Sequence, residues 1–501
     1  MIKRIHIENF KSIQDRVTID LKPITLLFGP NSSGKSTMLH ALHYAREILD
    51  RHNFNAHSTI NGGKYVDLGG FDNMVNSHDR KKNIVLQFDL DLEDKEVLEY
   101  WNTREGSTPV ALGSNWAQEM VQKINTAYLK LEIAWATDTE APEVIRYEVG
   151  INDKYAARIT RMGEKIFGIT NINFSHDIFD PHEHGIPDRG TVSEMANHLH
   201  LLLDDFSQWE TCEEIEEKKR KLAETKDDKE KSKINDELSS LCESLNIVSL
   251  TIESQTTAIP KWKEIINIKE LPSNDALKKE GDEGSGLIAN KLDFQEAISV
   301  ILTGIGDTLN TELNKFRYIG PIREVPDRNY NPKHYNDESR WANGLGAWDS
   351  LAQNGETFLR QVNDWMEDKE RLATGHSFEV KEFMELPLDD PFTLQLQSGE
   401  LLDIEDVAEK LASLNFSSRL IVTDARTGVE VSLPDVGIGI SQVLPIVVGA
   451  ILQKESILAI EQPELHIHPR IQVNLGDLFI WQLNKTDFKG IFLIETHSEH
   501  L

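Results

Sequence analysis

Nine consecutive residues, Gly29-Pro30-Asn31-Ser32-Ser33-Gly34-Lys35-Ser36-Thr37, carry the densest chemistry in this 501-residue chain. They follow an apolar run, Ile24–Phe28, that reads as a buried strand. They lead into Met38–Ala45, whose apolar residues recur at three- and four-residue spacing, as on a helix. Strand, glycine loop and helix in that order are the setting a phosphate-binding loop requires. The glycines let the backbone curl so that successive N–H groups form an anion nest, and the helix aims its positive end at the same spot. In such a loop Lys35 reaches the β- and γ-phosphates of a nucleotide, and Ser36 offers its hydroxyl to Mg²⁺.

A second group of candidates lies near the other end of the chain. Ser456–Glu461 reads as a buried strand ending in a carboxylate. An acid at the C-terminal end of a parallel strand beside a phosphate loop is where a Mg²⁺ partner sits, so Glu461 is the metal candidate beside Ser36. Gly490–Ser498 is another buried strand, ending in a polar turn with His497. One sheet holding both strands and the loop would bring Lys35, Ser36, Glu461 and His497 to one edge. Two histidine pairs, His182/His184 and His466/His468, have spacings that can hold a metal. For the first pair an acidic, solvated loop is sufficient explanation.

The elements that must position these residues are legible in outline. Lys3–Ile7, Val17–Leu21 and Ile24–Phe28 read as strands, and the helix after the loop runs to about Asp50. Residues 51–82 are polar and glycine-rich. Asn83–Leu92, Ala127–Ala136, Val144–Asn152 and Ala157–Ile172 read as strands, and alternation such as Leu129-Lys130-Leu131-Glu132-Ile133 suits an antiparallel sheet with one wet face. That wet face accounts for Asp89 and Asp91. Between Glu210 and Ser254 the chain is strongly charged. Ile234, Leu238, Leu241, Leu245 and Val248 make one helical seam, and Glu224–Lys233 has the look of a hairpin turn. Residues 345–375 and 403–414 read as helical, and Arg419–Thr423 with Gly428–Leu433 as a β-hairpin. The expected division is 1–174, 175–315 as a helical or coiled-coil insertion, and 316–501.

Composition sets limits. Acidic residues number 83 against 53 basic ones, a net charge of −30. Nucleic acid is therefore not bound through the overall field and would need a local basic patch or a partner. Cys212 and Cys242 are too few for a disulfide framework or zinc knuckle, which suits a reducing compartment. No run approaches the ~20 apolar residues of a membrane span. The first residues alternate like a strand rather than a signal peptide. A cytoplasmic location with no membrane contact is the expectation.

Taken together, these motifs resemble the ABC-type ATPases of the RecF, SMC and OLD branch, closely over 1–90 and 415–501 and loosely between. The resemblance implies an α/β fold: an ABC-type ATPase head, with a mixed sheet around the phosphate-loop core, an antiparallel β lobe and a helical, partly coiled-coil insertion. It implies ATP and Mg²⁺ as cofactors, with Gly29 to Thr37 on the nucleotide and Glu461 joining Ser36 on the metal. Gln462, in Glu461-Gln462-Pro463-Glu464, stands where the family has the carboxylate that polarises water. His468 falls in the turn that contacts a partner subunit, and His497 resembles the switch histidine at the γ-phosphate. Asp435–Gln442 resembles the signature segment, with Gly439 and Ser441 closing over the ATP of a second copy and Ser441 capping a helix that starts near Gln442. Gln462 cannot take a proton but can orient a water, so tight ATP binding with slow turnover is expected; the alternative is that Glu464 acts as the base.

Within the family the helical insertion, the Glu-Gln-Pro-Glu run and Tyr318-Ile319-Gly320-Pro321 most resemble ATPase subunits of Septu-type anti-phage systems. Those subunits work as oligomers beside a separate HNH nuclease. The alternative is a RecF-like DNA-repair ATPase that binds DNA directly. OLD-type members carry a TOPRIM nuclease after the histidine turn; this sequence ends there, at Leu501, so no nuclease activity is expected of it.

Overall fold

A computed structural model describes residues 1–30, 33–57, 66–92, 121–173, 176, 178, 218, 233–234, 237, 240, 250–269, 295–328, 330–333, 335, 337–399, 404–414 and 416–501. Its strands are β1 (Ile2–Glu8), β2 (Val17–Asp20), β3 (Ile24–Phe28), β4 (Ile84–Asp91), β5 (Thr126–Ala136), β6 (Ala141–Ile151), β7 (Lys154–Gly163), β8 (Ile166–Ile172), β9 (Leu250–Thr251), β10 (Arg317–Ile319), β11 (His376–Met384), β12 (Phe416–Asp424), β13 (Val429–Val431), β14 (Ile457–Glu461) and β15 (Ile491–Thr496). Three helices matter most for the site: α1 (Lys35–Arg51), α2 (Ile438–Leu452) and α3 (Pro469–Leu483). The chain divides into two units. One comprises Met1–Leu21, Thr37–His57 and Leu68–Asn314; the other comprises Lys22–Ser36, Ser58–Asp67 and Lys315–Leu501.

The first unit is built on an antiparallel sheet in the order β2-β1-β4-β5-β6-β7-β8-β9. Along β4 and the first eight residues of β5 every second residue is buried, so Ile84, Leu86, Phe88 and Leu90 face the core while Asp89 and Asp91 take the wetter face. Each such apolar side chain contributes about 1.5–3 kcal/mol by leaving water. The run expected as one strand over Ala157–Ile172 is two, β7 and β8, because the chain turns at Glu164-Lys165, where Lys165 adopts φ 55.

Part of the expected 175–315 insertion also differs. β9 pairs with β8, and the helix Ile305–Asn314 continues from a π turn over Val300–Gly304. The buried Tyr147 hydroxyl donates to Leu302 O at 2.6 Å. A Cβ on Gly306 would lie 2.1 Å from that hydroxyl, so only glycine fits. These pieces belong to the antiparallel unit. Of the expected coiled-coil hairpin, Lys218, Lys233, Ile234, Glu237 and Ser240 are described, each helical, with Lys218 Nζ donating to Glu237 Oε2 at 2.6 Å. The rest of that hairpin, with His182 and His184, lies outside the described residues.

The second unit holds a parallel sheet in the order β10-β14-β15-β3. β14 and β15 are buried along their whole length, as near-continuous apolar strands covered on both faces must be. Val443, Leu444, Ile446, Val447, Val448, Ala450 and Ile451 of α2 share one core with Leu458, Ile460, Phe492 and Ile494 of the sheet and Leu475, Leu478 and Phe479 of α3. A separate sheet, β11-β12-β13, contains the expected hairpin as β12 and β13; β11 was not expected from the sequence. The helical stretch expected over 345–375 is two helices, Leu345–Gln353 and Gly355–Glu367, separated at Asn354 and Gly355, the latter at φ 73. Among the described residues no helix is long and apolar enough to cross a membrane.

Candidate active site

The parallel order determines what meets what. In register, Phe28 pairs with Thr496, Leu27 with Glu495, and Glu495 with Glu461. The C-terminal ends of β3, β15 and β14 therefore lie side by side, and the glycine loop leaves β3 at that edge. α1 begins at Lys35, so the N–H groups of its first turn, and the positive end of its dipole, open on the same edge. Gly34, at φ 90, makes the bend that lets the helix start there.

Lys35 is 9% exposed and folds back over the loop, its Nζ donating to Gly29 O at 3.0 Å and Pro30 O at 2.8 Å. The same Nζ lies 3.9 Å from Glu495 Oε1. Ser36 Oγ donates to Glu495 Oε2 at 2.7 Å. Glu495, 4% exposed, is thus the acid in contact with the loop. Glu461, one strand further along, is also buried and is hydrogen-bonded by the Tyr318 phenol; burial first, and that carboxylate second, push the phenol well above its usual range.

The turn after β14 is tied to the end of β15. Gln462 adopts φ 44, and its N–H donates to Glu495 O at 2.8 Å. Glu464 accepts from Thr496 Oγ1 at 2.8 Å through one oxygen and from His497 N at 2.7 Å through the other. Beneath the turn lies Arg323, 2% exposed, which donates to Glu461 O at 2.8 Å, Gln462 O at 3.3 Å and Gln442 O at 3.2 Å. Gln442 returns a bond to Arg323 O at 2.8 Å. Burial lowers the Arg323 pKa to about 10, against the opposing pull of Glu464, Tyr318 and Glu461.

The structure gathers Gly29, Pro30, Gly34, Lys35, Ser36, Glu461, Gln462, Glu464 and His497 at or beside this sheet end. Ser33 is exposed on the loop, and Asn31 and Ser32 lie outside the described residues. Thr37, buried, shares a 3.4 Å hydrogen bond with Ser12. His497 is half-buried.

The expectation that Ser441 caps a helix starting near Gln442 is corrected. α2 starts at Ile438 with Gly437 as its N-cap residue, and Ser441 is inside the helix with no exposed surface. The glycines at 437 and 439 read as loop, but Ile440, Val443 and Leu444 after them pack into the core, while Ile438 between them, in the first turn, is exposed. Gly439 is half-buried in that turn. His468 is the N-cap of α3, accepting from Arg470 N at 3.2 Å. Among the described residues no group of three or more His, Cys, Asp or Glu side chains is arranged around a metal position.

Two residues of this site escaped the sequence reading. Glu495 sits in a run, Ile491–Glu495, that obeys the same rule which singled out Glu461: an apolar strand ending in an acid. Arg323 follows Gly320-Pro321 in what reads as a surface turn, and no periodic signal marks it as buried.

The site's donor set is oxygen-only: the Ser36 hydroxyl and the Lys35 ammonium both meet the buried Glu495 carboxylate, and the buried Glu461 is its register partner one strand further along. That arrangement suits a hard divalent cation such as Mg²⁺ together with an anion on the loop N–H groups. Parallel sheet, glycine loop, helix N-terminus and acids at the strand ends define a P-loop nucleotide-binding domain. The family of AAA ATPase domains (AAA_15) matches residues 1–501, and the chain belongs to it.

No functionally curated protein matches the chain. Among solved structures, an Smc head bound to the C-winged helix domain of ScpA is similar at TM-score 0.35 and 11% identity, over 99% of this chain and 90% of that one. An Smc head with an extended coiled coil bound to the C-terminal domain of ScpA, from Pyrococcus furiosus, gives 0.34 and 13% over 99% and 90%. An Smc head with a coiled coil and joint from Pyrococcus yayanosii gives 0.34 and 10% over 99% and 92%. Scores this low carry no functional argument.

Proposed function

We propose that this chain is an ABC/SMC-like ATPase that binds ATP with Mg²⁺, hydrolyses it slowly and uses the cycle to regulate a partner. The observation that carries the reading is the meeting of Lys35 and Ser36 with the buried Glu495, whose register partner on the neighbouring parallel strand is the buried Glu461. On binding, Lys35 exchanges the carbonyls of Gly29 and Pro30 for the β- and γ-phosphates, while the loop and α1 N–H groups hold the remaining phosphate oxygens. Ser36 and the acidic strand ends would hold Mg²⁺, which would supply neutralisation of phosphate charge for in-line attack. Gln462 orients water without removing its proton, which keeps turnover low. His497, whose backbone N–H is held by Glu464, senses the terminal phosphate in this reading.

Two copies closing head to tail around two nucleotides would form an isologous pair. The N-terminus of α2 at Gly437–Gly439, rather than the enclosed Ser441 hydroxyl, is the part available to the partner's nucleotide. The partner class follows from the sequence resemblance: a separate HNH-type nuclease in anti-phage defence, controlled by nucleotide-dependent closure.

Calorimetric titration of ATP and Mg²⁺ into wild type and Lys35→Ala tests the core of this reading. Charge-assisted lysine–phosphate bonds are worth about 1.5–3 kcal/mol each, so the variant should lose about 100-fold or more in affinity. Wild-type protein that takes up no nucleotide overturns the reading. Purification with the products of neighbouring genes tests the nuclease partner. Steeply salt-dependent DNA binding by the isolated protein would favour direct DNA repair instead.

A further inference from the structure

We propose that the outer edge of β12 is a docking slot for an extended segment of a partner protein, which pairs with Phe416–Ile421 as an added strand and sets an acidic side chain beside Arg419. The proposal concerns the β11-β12-β13 sheet and does not depend on the nucleotide chemistry. All nine residues of β12 pair with β11. On the other side only Val422, Thr423 and Asp424 are paired, with β13. β13 then departs, the chain passing through Ser432 into the short helical turn Leu433–Asp435. Among the described residues the rest of that edge, Phe416–Ile421, is open. The direction of its polar groups follows from the hairpin. Asp424 O accepts from Gly428 N at 2.8 Å on the β13 side, while Ala425 N donates to Gly375 O at 2.9 Å on the β11 side. Every second residue of a strand turns its N–H and C=O the same way, so Val422, Leu420 and Ser418 aim theirs toward the β13 side. Leu420 is only 6% exposed, and there the ladder to β13 has already ended at Val422. Buried main-chain groups are almost always paired, and a strand in the slot pairs those of Leu420.

The occupant is a single chain rather than a second copy. Arg419–Ile421 form one wall of a cavity of about 540 Å³, Val431–Leu433 the opposite wall, and Arg328 and Tyr330 also line it. A second copy's β12 brings β11 with it, and a slot closed on its far side has no room for both. The charge of the segment follows from the rows across the sheet. Lys381 of β11 is directly opposite Arg419, and like charges so placed repel. Lys381 is offset by Glu430 of β13. Arg419 has only Glu385, at 3.0 Å, and both of those side chains are exposed. An exposed ion pair is weakly held, so a carboxylate in the slot readily takes the place of Glu385. In the next row Val380 is opposite the buried Leu420, and the position beyond Leu420 suits an apolar side chain. Apolar and acidic residues therefore alternate along the segment, with main-chain bonds supplying affinity and the side chains supplying selectivity.

The test uses the full chain and a labelled, end-blocked peptide, Val-Asp-Val-Glu-Val-Asp, read by fluorescence anisotropy and by hydrogen exchange of the protein. The peptide should bind and slow exchange over 416–421. The same peptide with lysine at the three acidic positions should bind about tenfold more weakly or worse. N-methylation of the three valines, whose amides face β12, should abolish binding. Ser418→Pro removes an N–H that faces the slot and spares the pairing with β11, as an edge proline can; its urea midpoint should match wild type while the peptide no longer binds. Arg419→Glu should reverse the preference in favour of the lysine peptide, and it carries the test should Ser418→Pro fail to fold. Several results overturn the proposal: no binding at about 1 mM peptide, binding that survives valine N-methylation, protection confined to other segments, or an unchanged charge preference in Arg419→Glu. A concentration-dependent dimer that Ser418→Pro abolishes also overturns it, by giving the edge to a second copy.

Discussion

Arg323 is the sharpest place to test how the site is held. Replacing it with Met keeps most of the volume and removes three hydrogen bonds from a buried cation to Glu461 O, Gln462 O and Gln442 O. Bonds to a charged donor contribute about 1.5–3 kcal/mol each. Against them stands the burial that lowers the guanidinium from 12.5 to about 10, a cost of about 3 kcal/mol. The net stabilisation is therefore about 3 kcal/mol, similar to what is lost when one partner of a buried polar pair is removed. Arg323→Lys keeps the charge but not the fork that spans two segments, so it should lose about half as much. Urea unfolding, with hydrogen exchange of peptides containing Gln442 and Glu461, reads both effects. Both peptides should lose protection together in Arg323→Met. A loss below about 1 kcal/mol, or exposure of one peptide without the other, would refute the idea that one side chain ties the start of α2 to the end of β14.

Other expectations follow from neighbouring residues. Gln462→Glu should raise ATP turnover at least about tenfold, from a wild-type rate below about 10 per second; an unchanged rate in a phosphate-release assay counts against slow hydrolysis through Gln462. His40, which accepts a 2.9 Å bond from Lys11, is pushed down to about 3 by burial and then by that lysine. Its folded-state pKa is below the unfolded value near 6.5, so its contribution is complete above pH 6.5 and is lost as pH falls toward 3. By pH 5 the loss is about 2 kcal/mol, and His40→Gln should flatten that part of the stability profile; parallel wild-type and variant profiles would exclude it.

Much of the parallel core was legible because its signals are local. Ile24–Phe28, the glycine loop and the following helix announce themselves within thirty residues, and Ile457–Glu461 and Ile491–Thr496 are apolar runs with abrupt polar ends. The adjacency of the strands is another matter. Nothing in the spacing says that β15, not β14, pairs with β3, and so the acid nearest Ser36 was missed while its neighbour was named. Ser441 failed for a related reason: a serine beside glycines looks like a cap when burial is unknown, and only the packing of Ile440, Val443 and Leu444 into the core shows the helix has already begun. β11 alternates poorly, with Phe378 its only buried residue, so period-two patterning had little to register. Arg323 is invisible to any hydropathy argument, since what makes it structural is three carbonyls supplied by segments more than a hundred residues away.

Glu464 has a consequence for motion. One carboxylate grips both the hydroxyl of Thr496 and the amide of His497, so the exits of two strands behave as a single stiff bracket. Any shift of the backbone at His497 must therefore either carry the Glu464 carboxylate, and the turn that bears it, along or break that bond.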